Sequence, residues 1–187
     1  MILEIVKYGH PALRARGARI KKVDQRIREL AANMIETMIA ADGCGLAAQQ
    51  IGIPLRLCVV DIREVPNRPS RMWINSNEVD PNKFMPLVLI NPEVETLGSE
   101  EAGTEGCLSL PGITAEILRP ARVKVTATNL EEETIQFEAA GLLSRAIQHE
   151  FDHLNGVLFI DRMDLKTREA VQPLLDKITP NKSHFLH

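Results

Sequence analysis

No run of 18 apolar residues occurs in this chain of 187, so no stretch is long enough to span a bilayer as one helix. The start, Met1-Ile2-Leu3-Glu4-Ile5-Val6-Lys7, lacks the basic region, extended apolar region and small-residue cleavage site of a secretory signal, and a cytoplasmic protein is expected. A surplus of one charge is also missing. Lys plus Arg number 22 and Asp plus Glu 25, for a net charge of −3, which offers no basic field to nucleic acid or to an anionic membrane. Neither partner is expected. Cysteine is scarce, and the odd set Cys44, Cys58 and Cys107 argues against a disulfide framework, leaving thiols to act as core residues, ligands or nucleophiles. Internal repeats, low-complexity runs and linkers are absent as well, so residues 1–187 read as one domain with its own core.

What is present divides into short apolar blocks. Residues 1–22 form an irregular arm in which Pro11 disfavours helix at His10, making His10 a loop residue and not a ligand. From Asp24, a suitable N-cap, Ile27, Leu30, Ala31, Met34, Ile35 and Met38 recur at spacings of three and four and predict a helix ending near Ala40. Short β-branched runs at 57–60 and 87–90 predict buried strands, with Cys58 a core thiol. Between them, residues 63–86 carry Pro66, Pro69, Pro81 and Pro86 among several asparagines and read as an irregular loop insertion, with Met72 and Trp73 anchoring it. Val123, Val125 and Ala127 alternate with polar residues, as do Ile135 and Phe137, predicting two antiparallel strands joined through 129–134. A helix follows from about Gly141, with Leu142, Leu143, Ala146 and Ile147 on its apolar face and Asn155-Gly156 at its end. Beyond it, 165–178 has helical periodicity interrupted by Pro173, and 179–187 reads as a flexible polar tail.

Three stretches carry chemistry. Gln148-His149-Glu150-Phe151-Asp152-His153 places two imidazoles one turn apart on one helix face with a carboxylate beside them, the HExxH arrangement. Two neutral imidazoles can bind one divalent metal while the carboxylate handles the proton of a water, but a third protein ligand is then needed. Cys107, within Glu105-Gly106-Cys107-Leu108-Ser109, sits among small and turn-forming residues where its sulfur can reach a shared site. Gly43-Cys44-Gly45-Leu46-Ala47-Ala48-Gln49-Gln50 pairs glycines at i and i+2, which lets backbone approach a ligand closely. It has neither a Gly-Lys-Ser/Thr ending nor a third glycine at dinucleotide spacing, so nucleotide binding is disfavoured, and a glutamine placed there can donate to an oxyanion instead. Together these give Cys107, His149 and His153 as metal ligands, Glu150 as proton carrier and Gln50 as amide donor.

The three motifs in this order, GxGxAAxQ at 43–50, EGCLS at 105–109 and QHExDH at 148–153, resemble the peptide deformylase family. The resemblance implies an α+β fold, antiparallel strands packed around a central metal-bearing helix, and hydrolysis of the N-formyl group from the formyl-methionine of newly made polypeptides, with formate released. It implies Cys107, His149 and His153 as ligands, Glu150 as acid/base, Gln50 and the Leu108 amide as oxyanion donors, and Gly45 against the peptide backbone. Cys44, Leu142 and Ala146 are expected at the wall of the methionine pocket. The ligand set alone would name Zn2+, whereas the resemblance implies Fe2+ in the cell with Ni2+ or Co2+ as active substitutes. Formylated nascent peptides are the implied partners, with transient proximity to the ribosome. The C-terminal segment, however, is unlike the long basic helix of some members. Two other readings use the same residues. An HExxH metallopeptidase would draw its third ligand from downstream, and a closed structural zinc module would need a fourth protein ligand.

Overall fold

The computed structural model describes residues 1–179. The predicted first helix is α1 (Gln25–Ala40), and Asp24 caps it by accepting from the Ile27 amide at 3.0 Å. Its inward residues, Ala31, Met34 and Met38, are fully buried. The strands in chain order are β1 (Gly45–Ala47), β2 (Leu57–Val60), β3 (Ser70–Ile74), β4 (Asn77–Val79), β5 (Leu87–Cys107), β6 (Leu110–Thr128) and β7 (Thr134–Gly141). All pair antiparallel in one sheet ordered β1-β2-β5-β6-β7-β3-β4. The second helix, α2 (Leu142–Leu154), packs against β1, β2, β6 and β7, and α3 (Leu165–Ile178) lies against β6.

Strand β2 shows how the layers form. Its side chains alternate faces, so Leu57 and Val59 join Met34, Met38 and Ile90 on the α1 side, while Cys58 and Val60 join Leu89, Val125, Leu143 and Ile147 on the α2 side. Cys58 is thus a core thiol. A further cluster of Leu13, Leu110, Ile113, Ile117, Phe159 and Leu175 closes the end beneath α3. This is the expected α+β, single-domain architecture. In α2 every residue except Arg145 and Phe151 is buried, so its polar side chains must find partners inside the protein.

Three expectations are corrected. Segment 63–86 is not irregular throughout: β3 and β4 form a hairpin, turning through Asn75 and Ser76 at φ 50° and 65°, and β3 pairs with β7. Met72 is buried in the core, and the guanidinium carbons of Arg71 and Arg122 sit 4.8 and 4.3 Å from the centroid of the Trp73 ring. The strand expected at 87–90 runs on to Cys107, its register shifting near Asn91-Pro92 and Gly98, so breaks in local pattern are bulges and not ends. Helix α3 passes through Pro173, whose exposed face lets the freed carbonyl meet water. Of the expected tail, 180–187 lies outside the described residues.

Candidate metal centre

Helix α2 supplies the two imidazoles. One turn apart, the His149 and His153 rings stand with centroids 5.0 Å from each other. Cys107 enters from the end of β5, where the register shifts after Gly106 and Cys107 pairs with Leu110 across the tight turn into β6. Its Sγ lies 3.4 Å from His153 Nε2, and the ligand atoms of Cys107, His149 and His153 all fall within 4.8 Å of one another. One sulfur and two imidazole nitrogens at that spread fit a single divalent ion of the kind such donors select. Among the described residues the group has these three members. A closed structural site would need a fourth protein ligand beside these three.

The loop leading from α1 completes one side. Gln50 is buried in the turn Ala48–Ile51, and the Ala47 amide donates to its Oε1 at 2.9 Å. That bond turns Nε2 toward Cys107 Sγ at 3.5 Å and Ser109 Oγ at 3.3 Å. Gly45 is required by space: a Cβ there would lie 2.9 Å from Glu150 Cγ. Gly45, Cys44, Gln50, Leu108, Leu142, Ala146, Cys107, His149 and Glu150 all line one cavity of about 440 Å³. His153, though within the ligand cluster, is not among its lining residues.

Behind His149 stands an ion network that sequence patterning did not reveal. Glu105 Oε1 accepts from His149 Nδ1 at 2.9 Å, leaving Nε2 free to face the cluster. Arg119 donates twice to Glu105, at 2.6 and 2.9 Å, and once to Asp152 at 2.9 Å. Arg145 adds a bond to Glu105 at 2.8 Å, and Arg162 holds Asp152 at 2.8 and 3.1 Å. Glu105 and Asp152 belong to the second and third motifs, so a carboxylate beside each ligand was the available signal. A ligating histidine usually donates its other ring N–H to such a group.

The carboxyl groups are driven apart. Burial pushes Glu105 upward, but the hydrogen bonds from His149 and Arg119 outweigh it and hold the group down to about 2. Glu150 is pushed up to about 7, chiefly by burial, with the positive charge of His149 and then Arg119 pulling the other way. Its Oε2 is buried with no hydrogen-bond partner among the described residues. Burial, and then the charge of His149, lowers His153 well below the ordinary imidazole range, whereas for His149 the hydrogen bonds to Cys107 and Glu105 outweigh burial and raise it well above that range, a proton that a bound divalent ion would displace. One carboxylate fixed as an anion beside another poised near neutrality is the pattern of an orienting group and a proton carrier.

The known proteins to which this chain is similar belong to one family. The family model described as polypeptide deformylase matches residues 2–169. A peptide deformylase of Methylacidiphilum infernorum is 44% identical over 178 residues, covering 95% of this chain and 93% of that protein. One from Dictyoglomus thermophilum is 41% identical over 172 residues, covering 90% and 99%. Among solved structures, the chain is similar to a peptide deformylase from Legionella pneumophila, with TM-score 0.79, 32% identity and coverage of 95% of both chains. It is likewise similar to one from Thermotoga maritima, with TM-score 0.75, 38% identity and coverage of 88% and 99%.

Proposed function

Because the chain belongs to the peptide deformylase family, metal-dependent hydrolases that remove the N-formyl group from nascent polypeptides, we propose that Cys107, His149 and His153 hold its metal and Glu150 moves the proton. The observation that carries this reading is the convergence of those three ligand atoms within 4.8 Å beside a cavity that also presents Glu150 and Gln50. A bound divalent ion would polarise the formyl oxygen and bring the acidity of a water near neutrality. Glu150, buried and poised near pH 7, accepts a proton from the attacking water as the new carbon–oxygen bond forms. It returns that proton to the amine nitrogen as the carbon–nitrogen bond breaks, giving formate and a free N-terminus.

Gln50 Nε2 and the Leu108 amide serve as donors to the developing oxyanion, each such donor contributing ~3 kcal/mol of transition-state stabilisation. Gly45 leaves room for peptide backbone beside Glu150. Cys44, Leu142 and Ala146 line the cavity where the methionine side chain would lie, a largely apolar wall suited to a thioether. We assign Fe2+ as the cellular metal, with Zn2+, Ni2+ or Co2+ able to occupy the site in purified protein. The working place is the cytoplasm, close to ribosomes, where formylated chains emerge. Among the described residues no helix is long and apolar enough to cross a membrane.

The test is formate release from formyl-Met-Ala-Ser by protein loaded anaerobically with Fe2+, beside a zinc-loaded sample and a Glu150→Gln control. Release that depends on the metal and on Glu150 is expected, with iron the faster metal. A folded, metal-loaded protein that releases no formate would overturn the reading.

A further inference from the structure

Arg68 is a charged group at the cavity wall to which the reaction gives no task. Main-chain bonds fix its place. Its amide donates to Val65 O at 3.2 Å, and the next two residues cap α2: the Leu142 amide donates to Pro69 O at 3.0 Å and the Leu143 amide to Ser70 Oγ at 2.9 Å. Gly141, at φ 71°, allows this close passage, since a Cβ there would meet Pro69 O at 2.1 Å. The helix that bears the imidazoles therefore also anchors Arg68. From that anchor the half-buried side chain reaches toward β5, where Nη1 donates to Thr104 O at 3.1 Å. It stands between the main cavity and an adjoining cleft of about 270 Å³.

The contrast with the other guanidinium in the same wall is informative. Arg145 is spent on Glu105, Ile117 O and Glu101 O. Arg68 has one backbone carbonyl and, among the described residues, no carboxylate within ion-pair distance. Its charge reaches the expected methionine wall. Burial and the charge of Glu150 push the Cys44 thiol up, while His149 and Arg68 pull it back. A half-exposed guanidinium with spare donors is a ready partner for a carboxylate arriving on a peptide.

We propose that Arg68 is a specificity-determining residue that favours formyl-methionyl chains with an acidic side chain at the first or second position after methionine, a selectivity that rests on the deformylase reading of the site. The pairing is stronger than a fully exposed ion pair and weaker than a buried one, so a preference of about fivefold to tenfold in kcat/KM is expected. It weakens as salt is raised.

The experiment compares formyl-Met-Xaa-Ser and formyl-Met-Ala-Xaa peptides in which Xaa is Glu, Gln or Lys. The peptides are amidated so that no terminal carboxylate stands in for the side chain. The readout is the Glu-to-Lys ratio of kcat/KM within one metal-loaded enzyme, from which any uniform loss of activity divides out. The wild type should prefer Glu, Arg68→Lys should keep most of the preference, Arg68→Gln should bring the ratio near one and Arg68→Glu should invert it. An unchanged ratio in Arg68→Gln, or no preference in the wild type, overturns the proposal and leaves deformylation standing. A wild type that releases formate from none of the peptides overturns the deformylase reading, and the proposal with it.

Discussion

Glu105 and Glu150 lie on opposite sides of one imidazole, 2.9 Å from His149 Nδ1 and 3.9 Å from Nε2, yet the regions that hold them are built differently. Behind the ring, Glu105 is locked by Arg119 and Arg145 and shares Arg119 with Asp152. In front, Glu150 is packed against Gly45 and accepts no guanidinium bond among the described residues. The first environment stabilises the anion, to about 2, and the second destabilises it, to about 7. Similar depth therefore gives opposite shifts: neighbours, and not burial alone, decide whether a carboxylate is held as an anion, as the proposed orienting group needs, or poised near neutrality, as the proposed proton carrier needs.

The largest expected effect breaks the front side. Glu150→Gln keeps the volume and removes the proposed proton carrier, so kcat/KM for formate release should fall by about 10²–10⁴ with metal content per chain unchanged. Metal lost in proportion to activity would place Glu150 among the ligands instead. Next comes the pivot of the rear network. Arg119→Ala strips the shared partner from two buried carboxylates, and stability should drop by about 3–5 kcal/mol in urea unfolding of the metal-loaded protein. A loss below ~1 kcal/mol would mean that Arg145 and Arg162 suffice to hold Glu105 and Asp152. Smaller again is Glu105→Gln, which still accepts a hydrogen bond but no longer fixes His149 as an anion does. Metal affinity should weaken about 10–100-fold in chelator competition, while turnover per bound metal changes far less.

The difference between the two regions also explains what could be read from the chain. His149, His153 and Glu150 were legible because a helix puts i and i+4 on one face, and the strands near 125 and 136 because alternation has a period of two. Cys107 and Gln50 could be placed with them because each sits among small residues that leave a site accessible. The rear network was not legible. Its members come from β5, β6, α2 and the turn at 159–162, and charged residues so far apart read singly as surface positions until the fold gathers them around the buried Glu105, Arg119 and Asp152. The hairpin at 70–79 escaped notice for a local reason: Asn75 and Ser76 take positive φ without the glycine that normally advertises such a turn. The full length of β5 was hidden in a related way, because Asn91-Pro92 and Gly98 break the pattern without ending the ladder.

The mildest change asks whether the rear network's strength comes from burial or from the pairing itself. Arg14 and Asp161 make the same kind of double contact, at 2.5 and 3.2 Å, but at the surface, where each side chain is more than a third exposed. Burial raises Asp161, and the hydrogen bonds it accepts from Arg14 and from the Leu158 amide more than offset this, so the carboxyl is held below its ordinary value. A group depressed on folding stabilises the native state above its unfolded value, near 3.9, and loses that contribution as pH falls through the folded value. Asp161→Asn should therefore cost under about 1 kcal/mol at pH 7, far less than Arg119→Ala, because water screens the pair. In urea unfolding the gap between wild type and variant should hold from pH 7 to 5 and close progressively below pH 4. A cost rivalling that of Arg119→Ala would show that pairing geometry outweighs burial. A gap that widened in acid would mean that Asp161 is protonated more readily when folded than when unfolded.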